Sequence, residues 1–226
     1  MLLNDERVDP SDEDDYSIRK AARNGYTEIV KMLLEDEQVD PSALDNYSIR
    51  RASKYGHTEI VKMLIDDERV DPSDMDNYAI RRSSKNGHAE VVKILLEDKR
   101  VDPSADDNIA IRYAAEYGHT EVVRNLLEDA RVDPSVDDSI SIRTAAFSGY
   151  TELVQLLLND ERVDPSADDN YAIRLASQYG YAEIVKMLLE DKRVQLTDTT
   201  KKTLLDHGPN EEFNEILREK ASEMEP

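Results

Sequence analysis

Six arginines occupy the same place in a pattern that repeats every 31 residues, and they are the most regular candidates for chemistry in this chain. A row of guanidinium groups could bind an anion such as a phosphate or a carboxylate. Each repeat also supplies acids, such as Asp40 and Asp45, which would neutralise a nearby guanidinium. We therefore predict a structural role for these arginines, with an anion-binding row as the alternative. They are Arg19, Arg50, Arg81, Arg112, Arg143 and Arg174.

Three histidines, His57, His88 and His119, follow the same spacing, and histidine is a common metal ligand. Packed helices lie about 8–10 Å apart, so consecutive repeats cannot bring these rings to one metal ion. We predict no metal site and no cofactor. The equivalent position in the other repeats is Tyr26, Tyr150 and Tyr181.

The sequence contains no combination of residues that is typical of an enzyme. There is no nucleophile with a neighbouring base, no pair of carboxylates in an apolar setting, and no glycine-rich phosphate loop. The acidic run from Asp12 to Asp15 is expected in an exposed loop. We predict that the chain is not an enzyme.

Charge and composition narrow the classes of partner. The chain has 50 acidic residues against 29 lysines and arginines, a net charge of −21, which should repel nucleic acids and anionic membranes. Its apolar runs are far shorter than the ~20 residues needed to span a bilayer. The absence of cysteine is compatible with a reducing compartment. We predict a monomer in the cytoplasm, with the nucleus not excluded.

The 31-residue pattern indicates a tandem array, because a period of this size is typical of a solenoid in which each unit packs on its neighbours. We predict one domain over residues 1–226. It contains a partial repeat at 1–7, full repeats at 8–38, 39–69, 70–100, 101–131, 132–162 and 163–193, and a degenerate C-terminal cap at 194–226.

Each repeat is predicted to hold two helices. In the second full repeat, Asp40 to Asp45 form a loop, Asn46 caps the first helix, Gly56 ends it, and Thr58 opens the second helix. Side chains that could cap the first helix recur at Asp15, Asn77, Asn108, Ser139 and Asn170.

The two helices differ in the size of their apolar residues. Ala52 and Ser53 give the first helix a low profile that permits close packing. Ile60, Val61 and Leu64 make the second helix far more apolar, so we expect it to be the buried spine.

The segment from Gly118 to Leu127, Gly-His-Thr-Glu-Val-Val-Arg-Asn-Leu-Leu, resembles the ankyrin repeat, and similar segments cover nearly the whole chain. The repeat departs from that family in its helix start, Tyr78-Ala79-Ile80-Arg81, and in being two residues shorter than the usual length of about 33. The resemblance implies an all-α helix-turn-helix solenoid. The shortening predicts little or no β-hairpin.

The resemblance also implies a non-catalytic scaffold that binds a protein or peptide on a concave face made by the first helices and the loop tips. An alternative is a structural spacer or substrate-recognition arm of a larger multidomain protein. The candidate contact residues are those that vary between repeats: Lys20, Arg23, Arg51, Lys54, Tyr55, Arg82, Lys85, Tyr113, Tyr117, Phe147, Leu175 and Tyr179 in the first helices, with Leu44 and Met75 in the loops.

These candidates change in character along the chain, from basic in the first three repeats to aromatic and apolar in the last three. Such a gradient would suit a partner with an acidic end and an apolar end. The alternative is that these are solvated helix positions. In the C-terminal cap we expect a first helix over Thr199 to Asp206 and a second from Gly208, with Phe213, Ile216 and Leu217 facing inward.

Overall fold

The structure is a computed structural model that describes residues 9–207, and these residues form helices without any strand. The all-α fold and the lack of a β-hairpin are therefore confirmed for this part of the chain. The partial repeat at 1–7 and the last predicted helix, with Phe213, Ile216 and Leu217, lie outside the described residues. The chain divides after Tyr113 into two compact units, hereafter unit 1 and unit 2.

The first helices of the repeats are α1 (Asp12–Asn24), α3 (Ala43–Tyr55), α5 (Asp74–Lys85), α7 (Ala105–Glu116), α9 (Val136–Ser148), α11 (Ala167–Gln178) and α13 (Asp198–His207). The second helices are α2 (Thr27–Leu34), α4 (Thr58–Ile65), α6 (Ala89–Glu97), α8 (Thr120–Leu127), α10 (Thr151–Leu158) and α12 (Ala182–Glu190). The helix pairs predicted from the sequence are thus confirmed, including the first helix of the C-terminal cap.

The glycine between the two helices of a repeat is required for two separate reasons. Gly25 has φ +79°, a left-handed conformation that glycine adopts without strain. A Cβ atom at this position would lie 2.7 Å from a ring carbon of His57 in the next repeat. The glycine therefore both reverses the chain and lets the next repeat pack against the turn.

The first helices form the more closely packed row within each unit, which corrects the expectation that the second helices are the buried spine. Ala52 and Ser53 are buried without protruding, so α1, α3 and α5 approach one another more closely than do α2, α4 and α6. The second helices also bury large residues, such as Ile60 and Leu64 on α4. The core is thus shared between both rows.

A left-handed turn begins each of the first six first helices, α1 to α11, and precedes their regular part. In α3 it comprises Leu44, Asp45 and Asn46, with φ angles of 53°, 55° and 54°. Left-handed backbone costs roughly 1–2 kcal/mol per residue outside glycine, so neighbouring contacts must stabilise this turn. The turn recurs in α1, α5, α7, α9 and α11.

Five of the six predicted N-cap residues bond to the next repeat instead of capping their own helices, so the N-cap prediction was wrong for these five. The side chain of Asn46 accepts a hydrogen bond from the Asp71 amide of the next repeat, at 2.8 Å, and donates to the Asp74 carboxylate, also at 2.8 Å. The backbone amides of Asp40, Asp102 and Asp164 in the next repeat donate in the same way to Asp15, Asn77 and Ser139. Asn170 instead donates from its side-chain amide to the Gln195 carbonyl. These side chains link neighbouring repeats.

The arginines of the first series stabilise the left-handed turns, as their predicted structural role requires. Arg50 donates from Nε to the Asp45 carbonyl at 2.6 Å and from Nη2 to the Leu44 carbonyl at 2.9 Å. For Arg50 the acceptors are carbonyls within the turn and not the Asp40 or Asp45 carboxylates that the sequence suggested. Arg19, Arg81, Arg143 and Arg174 donate to equivalent carbonyls, and Arg81 and Arg143 also pair with Asp106 and Asp168.

A second arginine series, which the sequence analysis did not single out, joins each repeat to the one before. Arg69 makes two hydrogen bonds to Asp67, and Nη1 donates to the Val39 carbonyl of the preceding repeat at 2.8 Å. The guanidinium holds the pKa of Asp67 below its usual range through these hydrogen bonds. The recurrence of Asp-x-Arg-Val in the sequence is the pattern that could have identified this series. The aspartate pairing recurs at Arg100, Arg131, Arg162 and Arg193.

Histidine at the turn also connects repeats. His57 donates from Nε2 to the Arg23 carbonyl at 3.0 Å, and His88 donates to the Lys54 carbonyl at the same distance. Each acceptor is a carbonyl, so the proton of the neutral ring must be on Nε2. Within residues 9–207, no cluster of three or more His, Asp or Glu side chains could hold a metal ion.

Candidate protein-binding surface

Six of the predicted contact residues lie on three successive first helices of unit 1, where they form what we call the basic row. Each helix contributes two cations three positions apart, which places both on the same side of the helix. Lys20 and Arg23 are exposed, and the other four are half-buried. The row consists of Lys20 and Arg23 on α1, Arg51 and Lys54 on α3, and Arg82 and Lys85 on α5.

Aromatic rings lie beneath several of these cations. The guanidinium of Arg51 is 4.8 Å from the centre of the Tyr47 ring, and Lys85 Nζ is 4.8 Å from the centre of the Tyr113 ring. Such cation–π contacts contribute roughly 0.5–1 kcal/mol at exposed sites. The structure therefore brings the predicted candidate Tyr113 into the basic row, as the support for Lys85.

Among the residues that the structure describes, five cations of the basic row have no acidic partner. Within residues 9–207, no carboxylate forms an ion pair with Lys20, Arg23, Arg51, Lys54 or Arg82, although the chain has an excess of acids. The Nε atom of Arg51 is buried and has no hydrogen-bond partner. The positive charge of these five side chains is therefore available to a ligand.

The two predicted loop candidates lie in the left-handed turns, at the opposite end of the first helices. Leu44 and Met75 are each 48% exposed. Their neighbours Asp45 and Asp76 are exposed acids. Along α3 and α5 the surface thus changes from acidic and apolar at the turn to basic near the C-terminal end.

In unit 2 the structure brings together two of the predicted aromatic residues. The rings of Phe147 and Tyr179 meet edge to face with their centres 5.0 Å apart, and the two side chains are 45% and 54% exposed. Tyr179 also stacks on Tyr181 at 6.2 Å. We call Phe147 and Tyr179 the aromatic pair.

The remaining candidates are placed differently. Tyr55 and Tyr117 are exposed, and each lies 6.3 Å from the turn histidine of its own repeat. Leu175 is only 9% exposed, so it belongs to the core of unit 2 and not to the contact surface. Its place in the repeat did not reveal this burial. The equivalent residues in the first three full repeats are lysine or arginine, whose long side chains can extend to solvent, whereas leucine folds inward.

Exposed apolar side chains also occur where the sequence analysis placed no contact. Tyr26 lies at the turn between α1 and α2, Ile29 lies on α2, and Leu205 on α13 is 61% exposed. Their scattered positions give no common surface. Within the described part of the chain, no helix has the length and apolar composition needed to cross a lipid bilayer.

Comparison with known proteins agrees with the architecture. A family model described as ankyrin repeats in three copies matches residues 49–138, and a single ankyrin repeat model matches residues 19–46. Together these matches cover just over half of the chain. A search of curated proteins gave no match.

A similar solved structure is the crystal structure of an ankyrin repeat domain from Acinetobacter baumannii. Its TM-score is 0.61 at 23% sequence identity, and the match covers 78% of this chain and 97% of that chain. At this identity the likeness establishes the fold.

Proposed function

We propose that this chain, which belongs to the ankyrin repeat family, is a non-catalytic scaffold that binds a protein or peptide on the concave face made by its first helices. Ankyrin repeats are in general protein–protein interaction modules. What belongs to this chain alone is the set of side chains on that face. They vary between repeats, while the turn arginines and glycines that build the frame do not.

The observation that carries the proposal is the exposure of the aromatic pair. Phe147 and Tyr179 pack against each other at 5.0 Å and still leave about half of each ring in contact with water. Exposed aromatic pairs are frequent anchors of protein interfaces, because burying them releases ordered water at a small cost in side-chain entropy. The pair is therefore our candidate for the energetic centre of the contact.

We further propose that the scaffold acts as a monomer in the cytoplasm, without a metal or cofactor. The absence of cysteine supports a reducing compartment, and the net charge of −21 disfavours nucleic acids and anionic membranes as partners. Basic, mixed or locally acidic protein surfaces remain as partners.

The experiment that tests the proposal is a quantitative affinity capture with the whole chain. Tyr117→Ala, Phe147→Ala and Tyr179→Ala are combined in one variant, and the proteins recovered with it are compared with those of the wild type. We expect loss of at least one protein that the wild type recovers in stoichiometric amount.

The matched control removes exposed apolar area elsewhere. Tyr26→Ala combined with Ile29→Ala changes side chains that are 53% and 48% exposed at a turn and on a second helix. This variant should recover the same proteins as the wild type. Equal recovery by all three proteins would show that the aromatic residues are solvated positions with no partner.

A further inference from the structure

We propose that the basic row of unit 1 is a docking site for an acidic peptide segment of a partner protein, which lies across α1, α3 and α5. This proposal rests on the function proposed above and names the chemistry of one partner. The row offers up to six cations, two from each helix, on a chain that otherwise carries a large excess of negative charge.

Four cations of the row have no carboxylate partner within residues 9–207, although the chain has an excess of acids. Elsewhere, arginines such as Arg69 pair with a carboxylate of their own repeat. Lys20, Arg23, Arg51 and Lys54 do not, within the described residues 9–207. A carboxylate brought by a ligand would therefore meet cations that need not first leave another partner.

The repeat frame does not require a cation at these positions. The positions of Lys20, Arg51 and Arg82 are filled by Tyr113, Thr144 and Leu175 in later repeats, and those of Arg23, Lys54 and Lys85 by Glu116, Phe147 and Gln178. Glu116 at the last turn of α7 shows that the repeat accepts a negative charge at this position, where the helix dipole favours a positive one.

Tyrosine rings below two of the cations restrict their side chains. Arg51 and Arg82 lie over Tyr47 and Tyr78, at 4.8 Å and 5.3 Å. A side chain that is already restricted loses less conformational entropy when it binds a ligand. The row is thus preorganised for an anionic partner.

One end of the row is concave. A hollow beside α1 is lined by Tyr16, Arg19, Lys20, Arg23 and Tyr47. The Arg19 guanidinium lies 5.8 Å from the Tyr16 ring centre and 5.5 Å from that of Tyr47. Three cations around one hollow suit a carboxylate group of the peptide.

Geometry favours a narrow ligand over a nucleic acid. The acids of the left-handed turns, such as Asp45 and Asp76, lie at the other end of the same helices, and a 13-residue helix like α3 is only about 20 Å long. A duplex of comparable width would meet these acids, whereas an extended peptide would contact the basic ends alone. Neighbouring helices lie about 8–10 Å apart, and three residues of an extended polyproline-type chain span about 9 Å. Acids at every third residue would therefore reach successive helices.

The test measures binding of a fluorescein-labelled peptide, Glu-Pro-Ser repeated three times, to the full chain by fluorescence anisotropy at low and at physiological salt. We expect saturable binding that weakens with salt and that is absent for the Gln-Pro-Ser peptide. Arg23→Gln, Lys54→Gln and Arg82→Gln together remove one cation from each helix and should weaken binding about tenfold.

The control variant carries Lys31→Gln, Lys62→Gln and Lys93→Gln, which makes the same change in net charge on the second helices α2, α4 and α6. It should bind the peptide within about twofold of the wild type, because the local row and not the total charge attracts the ligand. Thermal unfolding followed by circular dichroism confirms that both variants are folded.

Three results would overturn the proposal: no binding of the glutamate peptide beyond that of its glutamine form, equal weakening by both variants, or tighter binding of an oligothymidylate of matched length. None of these affects the capture experiment with the aromatic variant, so this inference can fail while the scaffold function stands.

Discussion

Asn46 and Asp71 are joined across the boundary between two repeats, because the Asn46 side-chain oxygen accepts a hydrogen bond from the Asp71 amide at 2.8 Å. Asn46 itself has φ +54°, in the left-handed region that asparagine tolerates better than most residues. One residue therefore shapes its own turn and fixes the position of the next repeat.

Replacement of Asn46 should reveal both contributions. Asn46→Ala loses the hydrogen bond and places a less tolerant residue at positive φ, so we expect a loss of about 2 kcal/mol in the free energy of unfolding. Asn46→Ser keeps an acceptor, as Ser139 does at the equivalent position, and loses the donor to Asp74 without adding a charge, so it should cost less. Urea unfolding at neutral pH measures both. Equal losses for the two variants would contradict the assigned role of the Asp71 bond.

Asp15 occupies the position of Asn46 in the first full repeat, and burial raises the pKa of its carboxyl group. Ionisation of Asp15 therefore lowers the free energy of unfolding. This loss is absent below the usual aspartate pKa, grows as the pH rises through the raised pKa, and is complete above the raised pKa. Asp15→Asn removes the cost and should stabilise by about 0.5–1 kcal/mol at pH 7. The gain should vanish when unfolding is measured near pH 3. A gain that persists there would assign the effect to something other than charge.

Arg100 should show the opposite dependence on pH. Its hydrogen bonds hold the pKa of Asp98 below the usual range, so this pair contributes stability above the usual aspartate pKa that is lost as the pH falls through the lowered value. Arg100→Gln introduces the residue that Gln38 already provides at this position. It removes the bonds to the Val70 and Ile65 carbonyls and should cost about 1 kcal/mol at pH 7.

NMR titration of the Asp98 carboxyl should show its pKa rising toward the usual value in this variant. Lys93→Gln, an exposed change in the same repeat, serves as the control and should leave Asp98 unaffected. An unshifted Asp98 in Arg100→Gln would refute the pairing.

Ser53 offers a stabilising substitution. Its hydroxyl is buried between the first helices without a hydrogen-bond partner, and alanine occupies the same position at Ala22, Ala115 and Ala146. Ser53→Ala should raise the free energy of unfolding by about 1 kcal/mol, since a buried unsatisfied hydroxyl is removed and helix propensity improves. Ser83→Ala is the matched control, because the Ser83 hydroxyl donates to the Ala79 carbonyl at 2.9 Å. Its gain in thermal unfolding should be smaller.

Features that depend on near neighbours in the chain were predictable from the sequence. Gly56 ends a helix and Ile60, Val61 and Leu64 follow the helical period, so both helices of each repeat could be placed. The left-handed turn could not, because a helix cap and a left-handed residue favour the same side chains. The partner that distinguishes these roles for Asn46 lies 25 residues away, in the next repeat.

The candidate surface was predictable to a similar extent. Variation between repeats identified Phe147 and Tyr179, and the structure shows that their rings touch. Variation between repeats could not show that Leu175 folds inward or that Tyr113 supports Lys85, because both depend on packing between helices. Likewise, only the coordinates show that no carboxylate within residues 9–207 pairs with Arg23 or Lys54.

The bond between Asn46 and Asp71 has a consequence for how such an array can grow. The segment 39–69 contains one donor and one acceptor of these bonds between repeats. Its Asp40 amide donates to Asp15 of the preceding repeat, and its Asn46 side chain accepts from Asp71 of the following repeat. A tandem duplication of this segment would therefore place the side-chain acceptor of one copy beside the amide donor of the next copy. Gene duplication alone could then lengthen the chain by whole repeats, and no compensating mutation would be needed at the new boundary between repeats.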